Sequence, residues 1–87
     1  MRLDKFLKVS RIIKRRTVAN EVCDHGCVTI NGRVAKAGAE VKAGDNLTVR
    51  TGNRVLTVEV IQTPEVVKAQ DAELMYTILE SKNVTKE

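Results

Sequence analysis

The sequence predicts an α+β domain: two N-terminal helices packed on a small antiparallel sheet, followed by a C-terminal helix. Three observations carry this expectation. Apolar residues recur at helical spacing up to Asp24. The period changes to two after Gly26. Asn31-Gly32 then separates two alternating runs, the strongest short-range hairpin signal.

The first helix is expected over Arg2–Arg11. Leu3, Phe6 and Leu7 follow the i, i+3, i+4 rule and mark a core-facing stripe, with Arg2, Lys5 and Lys8 opposite. Asp4 stands near the helix start, where the dipole favours an acid. Ile12 and Ile13 then enter the core. The second helix is expected over Thr17–Asp24, with Val18, Ala19, Val22 and Cys23 as its stripe and Thr17 as its cap. Asn20 occupies the place where a capping box has Glu or Gln. Gly26 suits the left-handed terminator.

Val28 and Ile30 alternate with Cys27 and Thr29, the Asn-Gly turn follows, and Arg33–Lys36 is the returning strand. Ala43-Gly44-Asp45 is a turn. Leu47–Arg50 and Val55–Ile61 are two further strands joined across Gly52-Asn53. Pro64 opens the last segment, and Leu74, Met75, Ile78 and Leu79 form a helical stripe within residues 65–82. Ser81–Glu87 is polar and expected to fray. The expected division is a first unit over 1–64 and a helix with tail over 65–87, both in one compact body.

The 87 residues suffice for one domain, and their 43% hydrophobic content suits a packed fold. No apolar run approaches the roughly 20 residues of a membrane span, and the N-terminus lacks a signal-peptide core. Two cysteines, Cys23 and Cys27, fit a reducing compartment. A cytoplasmic monomer is expected.

The net charge of +4 hides an asymmetry. Residues 1–36 carry nine Lys/Arg against three Asp/Glu, whereas residues 37–87 carry six against eight. One basic half is the footprint of a polyanion surface; the bland alternative is a solvated basic face. The sharpest feature is Lys14-Arg15-Arg16 before Thr17. Cations at a helix start oppose the dipole, and an external anion lying there resolves the conflict. RNA phosphate fits that anion.

Arg2-Leu3-Asp4, Arg16-Thr17 with Ala19, His25-Gly26, Val28, Ile30-Asn31-Gly32 and Val41-Lys42-Ala43-Gly44-Asp45 together resemble the RNA-binding domain named after ribosomal protein S-four, over about residues 2–50. The resemblance implies its alpha-L fold. Arg15 stands where that domain often has Ser or Thr, and Ala43 where it often has Pro. The opening Met1–Arg11, the Lys-Arg-Arg-Thr joint and Met75-Tyr76-Thr77-Ile78-Leu79 are similar to the RqcP family of small stand-alone bacterial proteins. A more distant cousin is the fifteen-kilodalton heat-shock ribosome-binding protein.

The resemblance implies a factor of ribosome-associated quality control. Such a factor binds obstructed large subunits, contacts their rRNA and steadies peptidyl-tRNA in the P site. Its partner RqcH meanwhile directs alanine tailing of the stalled chain. A heat-shock-type role in rescuing obstructed subunits is the alternative within the same class. Carried onto this chain, the RNA surface comprises Arg2, Lys5, Lys8, Arg11, Lys14, Arg15, Arg16, Thr17, Arg33 and Lys36. Arginine grips phosphate oxygens through a planar fork, so Arg16, Arg2 and Arg15 rank first.

With one Phe, one Tyr and no Trp, a base-stacking platform is not expected, which leaves recognition of backbone and shape. No Gly-rich phosphate loop or nucleophile elbow is present, so no catalysis is expected. Cys23, His25 and Cys27 supply three potential ligands within five residues, yet a closed zinc site wants four, so no metal or other cofactor is expected. A protein-interaction module using the last apolar stripe is the remaining class.

Overall fold

The computed structural model describes residues 1–52, 54–63, 72 and 74–83. In chain order these form α1 (Leu3–Val9), α2 (Arg16–Asp24), β1 (Val28–Ile30), β2 (Arg33–Val34), β3 (Asn46–Thr51), β4 (Arg54–Val60) and β5 (Tyr76–Asn83). The sheet is antiparallel throughout, in the order β2-β1-β3-β4-β5.

Helix α1 buries Leu3, Phe6 and Leu7, as its stripe requires. No side chain caps its start. The free donors turn instead to a distant loop: the Leu3 N–H donates to the Ala39 carbonyl at 2.8 Å and the Asp4 N–H to the Ala37 carbonyl at 3.1 Å. The helix ends earlier than expected, because Ser10 and Arg11 turn out of it. Ser10 is buried and its hydroxyl donates to the Leu7 carbonyl at 3.3 Å. Arg11 then takes the left-handed conformation, φ 66°. That position after a helix usually holds glycine, and a side chain there costs about 1 kcal/mol.

Helix α2 begins one residue before the expected cap. Arg15 is the N-cap in extended backbone with no side-chain cap bond, and Thr17 lies inside the first turn. The first residue of α2, Arg16, and its fifth, Asn20, are both hydrogen-bonded to Asp4 of α1, and this tether fixes the earlier start. Ala19 and Cys23 face the core, one turn apart. Val18, expected on the stripe, is 40% exposed, because the contact with α1 is narrower than the stripe.

At the hairpin, Asn31 and Gly32 have φ values of 52° and 87°, both positive as a type I′ turn demands. Strand β2 stops at Val34 rather than Lys36. The chain beyond it leaves the sheet to serve the helices: Lys36 Nζ donates to the Asp24 carbonyl at 3.1 Å, and Ala37 receives α1. Asp45 closes the next turn itself, accepting the Lys42 N–H at 2.9 Å, so Ala43 suffices where proline was anticipated. Asn31 ties the two turns together through Asp45 at 3.1 Å.

Val28, Leu47, Val49, Val58 and Val60 share one sheet face and pack with Leu3, Phe6, Leu7, Ala19 and Cys23 in a single core. The other face carries Thr29, Thr48 and Thr57 in register across three strands.

The C-terminal helix is corrected where it can be seen: Tyr76–Asn83 is a strand paired with β4. The register shifts between Thr57 and Val58, a bulge that interrupts strict alternation along the pair. Ile78 and Leu79 therefore stand adjacent as apolar residues and imitate a helical stripe, although both are about half exposed (55% and 51%). Tyr, Thr and Ile favour strands on their own account. Residues 64–71 and 73 of the expected helix, and 84–87 of the tail, lie outside the described residues.

Cys23 is fully buried, and burial, with the Asp4 and Asp24 charges nearby, pushes its thiol up to about 11. Cys27 is partly exposed. In the folded protein a thiol-specific reagent at neutral pH is expected to modify Cys27 at least about tenfold faster than Cys23. Mass spectrometry of partially labelled protein checks this, and equal labelling would contradict the burial.

Candidate nucleic-acid interface

The interface is organised by an acid rather than by its cations. Asp4 is buried, 2% exposed, at the start of α1. Its carboxylate accepts from Arg2 Nε at 3.2 Å, Arg16 Nη2 at 3.5 Å, Asn20 Nδ2 at 3.3 Å and the Lys5 N–H at 2.7 Å. Burial alone would raise the Asp4 pKa. The bonds from Asn20, the Lys5 backbone and Arg16 outweigh it and hold the carboxyl below the usual carboxylate range.

Arg2, just before α1, and Arg16, at the start of α2, are thereby drawn to one acid, while their side chains stay about half exposed, 55% and 50%. A guanidinium has five donors, and Asp4 engages only part of each fork. The remainder is open to solvent from a pre-set position, an arrangement that reduces the entropy a side chain loses when it engages an anion. Gly38 lies beside Arg2: a Cβ there would stand at ordinary contact distance, 3.8 Å, from Arg2 Nη2.

The Lys14-Arg15-Arg16 joint divides between two hollows. Asp4, Arg16, Thr17, Asn20 and Glu21 line one. Lys8, Arg11 and Lys14 line the other, of about 370 Å³. Arg15 is exposed at the N-cap of α2, whose first turn holds no acid. Lys5 is half-buried on α1. Arg2, Lys5, Lys8, Arg11, Lys14, Arg15, Arg16 and Thr17 thus belong to one helical layer.

Arg33 and Lys36 are not brought to the α2 start. Arg33 is exposed on the edge strand β2. Lys36 is bonded to the last residue of α2, about 12 Å along the helix from Arg16. Asp4 and Asn20 are the members of the site that cation counting passes over. The available signal was that Asp4 is the only acid among the first 20 residues.

Among the described residues, no group of three or more His, Cys, Asp or Glu is placed to hold a metal ion, and no helix is long and apolar enough to cross a membrane.

A family model for the S4 domain matches residues 1–47, which span both helices and the hairpin. The RQC P-site tRNA stabilizing factor of Halalkalibacterium halodurans is 51% identical over 86 residues, covering 99% of this chain and 98% of that one. This chain belongs to the family of RQC P-site tRNA stabilizing factors, within the S4-domain proteins. The RQC P-site tRNA stabilizing factor of Bacillus subtilis is 55% identical over 84 residues, 97% of this chain and 98% of its own. Among solved structures, the trimeric heat shock protein 15 of Vibrio cholerae superposes with a TM-score of 0.81 at 30% identity, over 90% of this chain and 80% of that one. The helix pair and sheet described above are therefore shared with that protein.

Proposed function

We propose that this protein is an RNA-binding factor of ribosome-associated quality control. In this reading it sits on the obstructed large subunit, contacts rRNA and steadies peptidyl-tRNA in the P site while RqcH directs alanine tailing. It acts in the cytoplasm as a single copy and catalyses no reaction itself. The observation that carries the reading is the near-full-length identity with proteins named for P-site tRNA stabilisation, 51% and 55%. The α1–α2 surface supports it physically, since half-exposed guanidinium groups held on Asp4 are ready to meet backbone phosphates. With about six phosphates neutralised, log K falls against log salt with a slope of roughly −4 to −5.

The likeness to heat shock protein 15 favours a second reading, rescue of obstructed subunits without tailing. Deleting the protein is expected to abolish alanine tails on stalled chains, and the wild-type protein to restore them. Mass spectrometry of C-terminal peptides checks this; tailing at normal levels in the deletion strain selects the rescue reading.

A further inference from the structure

Among the described residues, the hollow lined by Lys8, Arg11 and Lys14 shares none with the one lined by Asp4 and Arg16. Its three cations arrive by different routes: Lys8 from the last turn of α1, Arg11 from the residue after its C-cap, Lys14 from the joint before α2. Arg11 does so in a left-handed backbone, φ 66°, where glycine is the ordinary occupant. Strain of this kind outside glycine concentrates at sites that hold a ligand. Among the described residues, none of the ion pairs involves Lys8, Arg11 or Lys14. Arg2 and Arg16 differ in being tied to Asp4. Three like charges around one hollow repel one another, and an anion placed among them reverses the sign of the interaction.

We propose that Lys8, Arg11 and Lys14 form a second phosphate socket, which takes a phosphodiester of an RNA backbone separately from the Arg2–Arg16 grip. Arg11 holds a glycine conformation because its guanidinium completes that socket. The proposal rests on the RNA-binding reading above and divides that surface in two. The joint feeds Lys14 to one socket and Arg16 to the other, so the helix pair measures the distance between two backbone ridges. Spacing then supplies the selectivity that base contacts do not.

The test is Arg11→Asn, since asparagine adopts the left-handed conformation readily and the fold is kept. Binding to purified large subunits carrying P-site tRNA is measured across a salt series, beside thermal unfolding. The socket predicts a Tm within about 2 °C of wild type or higher, an affinity about tenfold lower, and a salt slope shallower by about one. Unchanged affinity overturns the proposal, and so does weaker binding with an unchanged slope or a clearly lower Tm, which marks a structural role. Arg16→Ala run in parallel separates the two readings. Loss with Arg16→Ala but not with Arg11→Asn removes the socket and keeps RNA binding; wild-type binding insensitive to salt removes both. Vacant subunits and free tRNA as separate arms assign the phosphate, which belongs to the RNA on which Arg11→Asn costs affinity.

Discussion

Arg16→Ala is expected to weaken binding to obstructed large subunits by about 30-fold, about 2 kcal/mol, and to release the protein from the subunit fraction at moderate salt. The size follows from where Arg16 sits. Its side chain is half exposed at the first residue of α2, and Asp4 restrains it at 3.5 Å. Binding therefore meets a fork already aimed, and truncation removes a charge-assisted contact rather than a mobile surface cation. Arg16→Lys is expected to recover only part of the loss, since an ammonium supplies charge without the planar fork. Co-sedimentation over a salt series measures both variants. Binding by Arg16→Ala equal to wild type at every salt concentration contradicts the assignment.

Asp4→Ala is expected to act on stability and binding together. It removes a buried acceptor of five hydrogen bonds, of which the two from Arg16 and Asn20 join α1 to α2. The two arginines involved are half exposed and recover water, so the loss is discounted to about 2 kcal/mol. In a domain of this size that lowers Tm by roughly 10 °C. Affinity for subunits falls as well, because Arg2 and Arg16 lose their common anchor.

Asp4 also gives an acid signature. Its folded pKa lies below the unfolded value, so its contribution is complete above the ordinary carboxylate range and vanishes as pH falls through the depressed folded pKa. Wild type is therefore expected to lose, at and below about pH 4, an increment of stability that Asp4→Asn never has. Urea unfolding of both proteins between neutral and acid pH measures it, and parallel curves would contradict the role of Asp4.

Much of this architecture is legible in the residue order. The Leu3, Phe6, Leu7 stripe, the Gly26 stop and the Asn31-Gly32 turn all sit where local physics puts them. Local rules failed where a distant residue intervened. Thr17 does not cap α2, because Asp4, far away in sequence, takes hold of Arg16 and Asn20. Lys36 does not extend β2, because Asp24 claims its ammonium. Ile78 and Leu79 read as a helical stripe because two adjacent apolar residues break the alternation that marks a strand, at the bulge opposite Thr57 and Val58. For the site, guanidinium chemistry puts Arg16, Arg2 and Arg15 first, but charge crowding does not say which of them is anchored. Which cation is anchored, and which lines the Arg11 hollow, depends on side-chain partners that spacing does not encode.

The strand order β2-β1-β3-β4-β5 pairs every strand after the first with one made earlier in the chain. As the polypeptide leaves the tunnel, each strand can therefore dock on a partner already outside. Helix α1 is the exception. Its first N–H groups wait for Ala37 and Ala39, and the Met1 carbonyl waits for Val41. A seven-residue helix has little persistence unaided, so the arginine-bearing layer sets only after the chain has emerged past Val41. A newborn copy thus completes this layer late in its own translation.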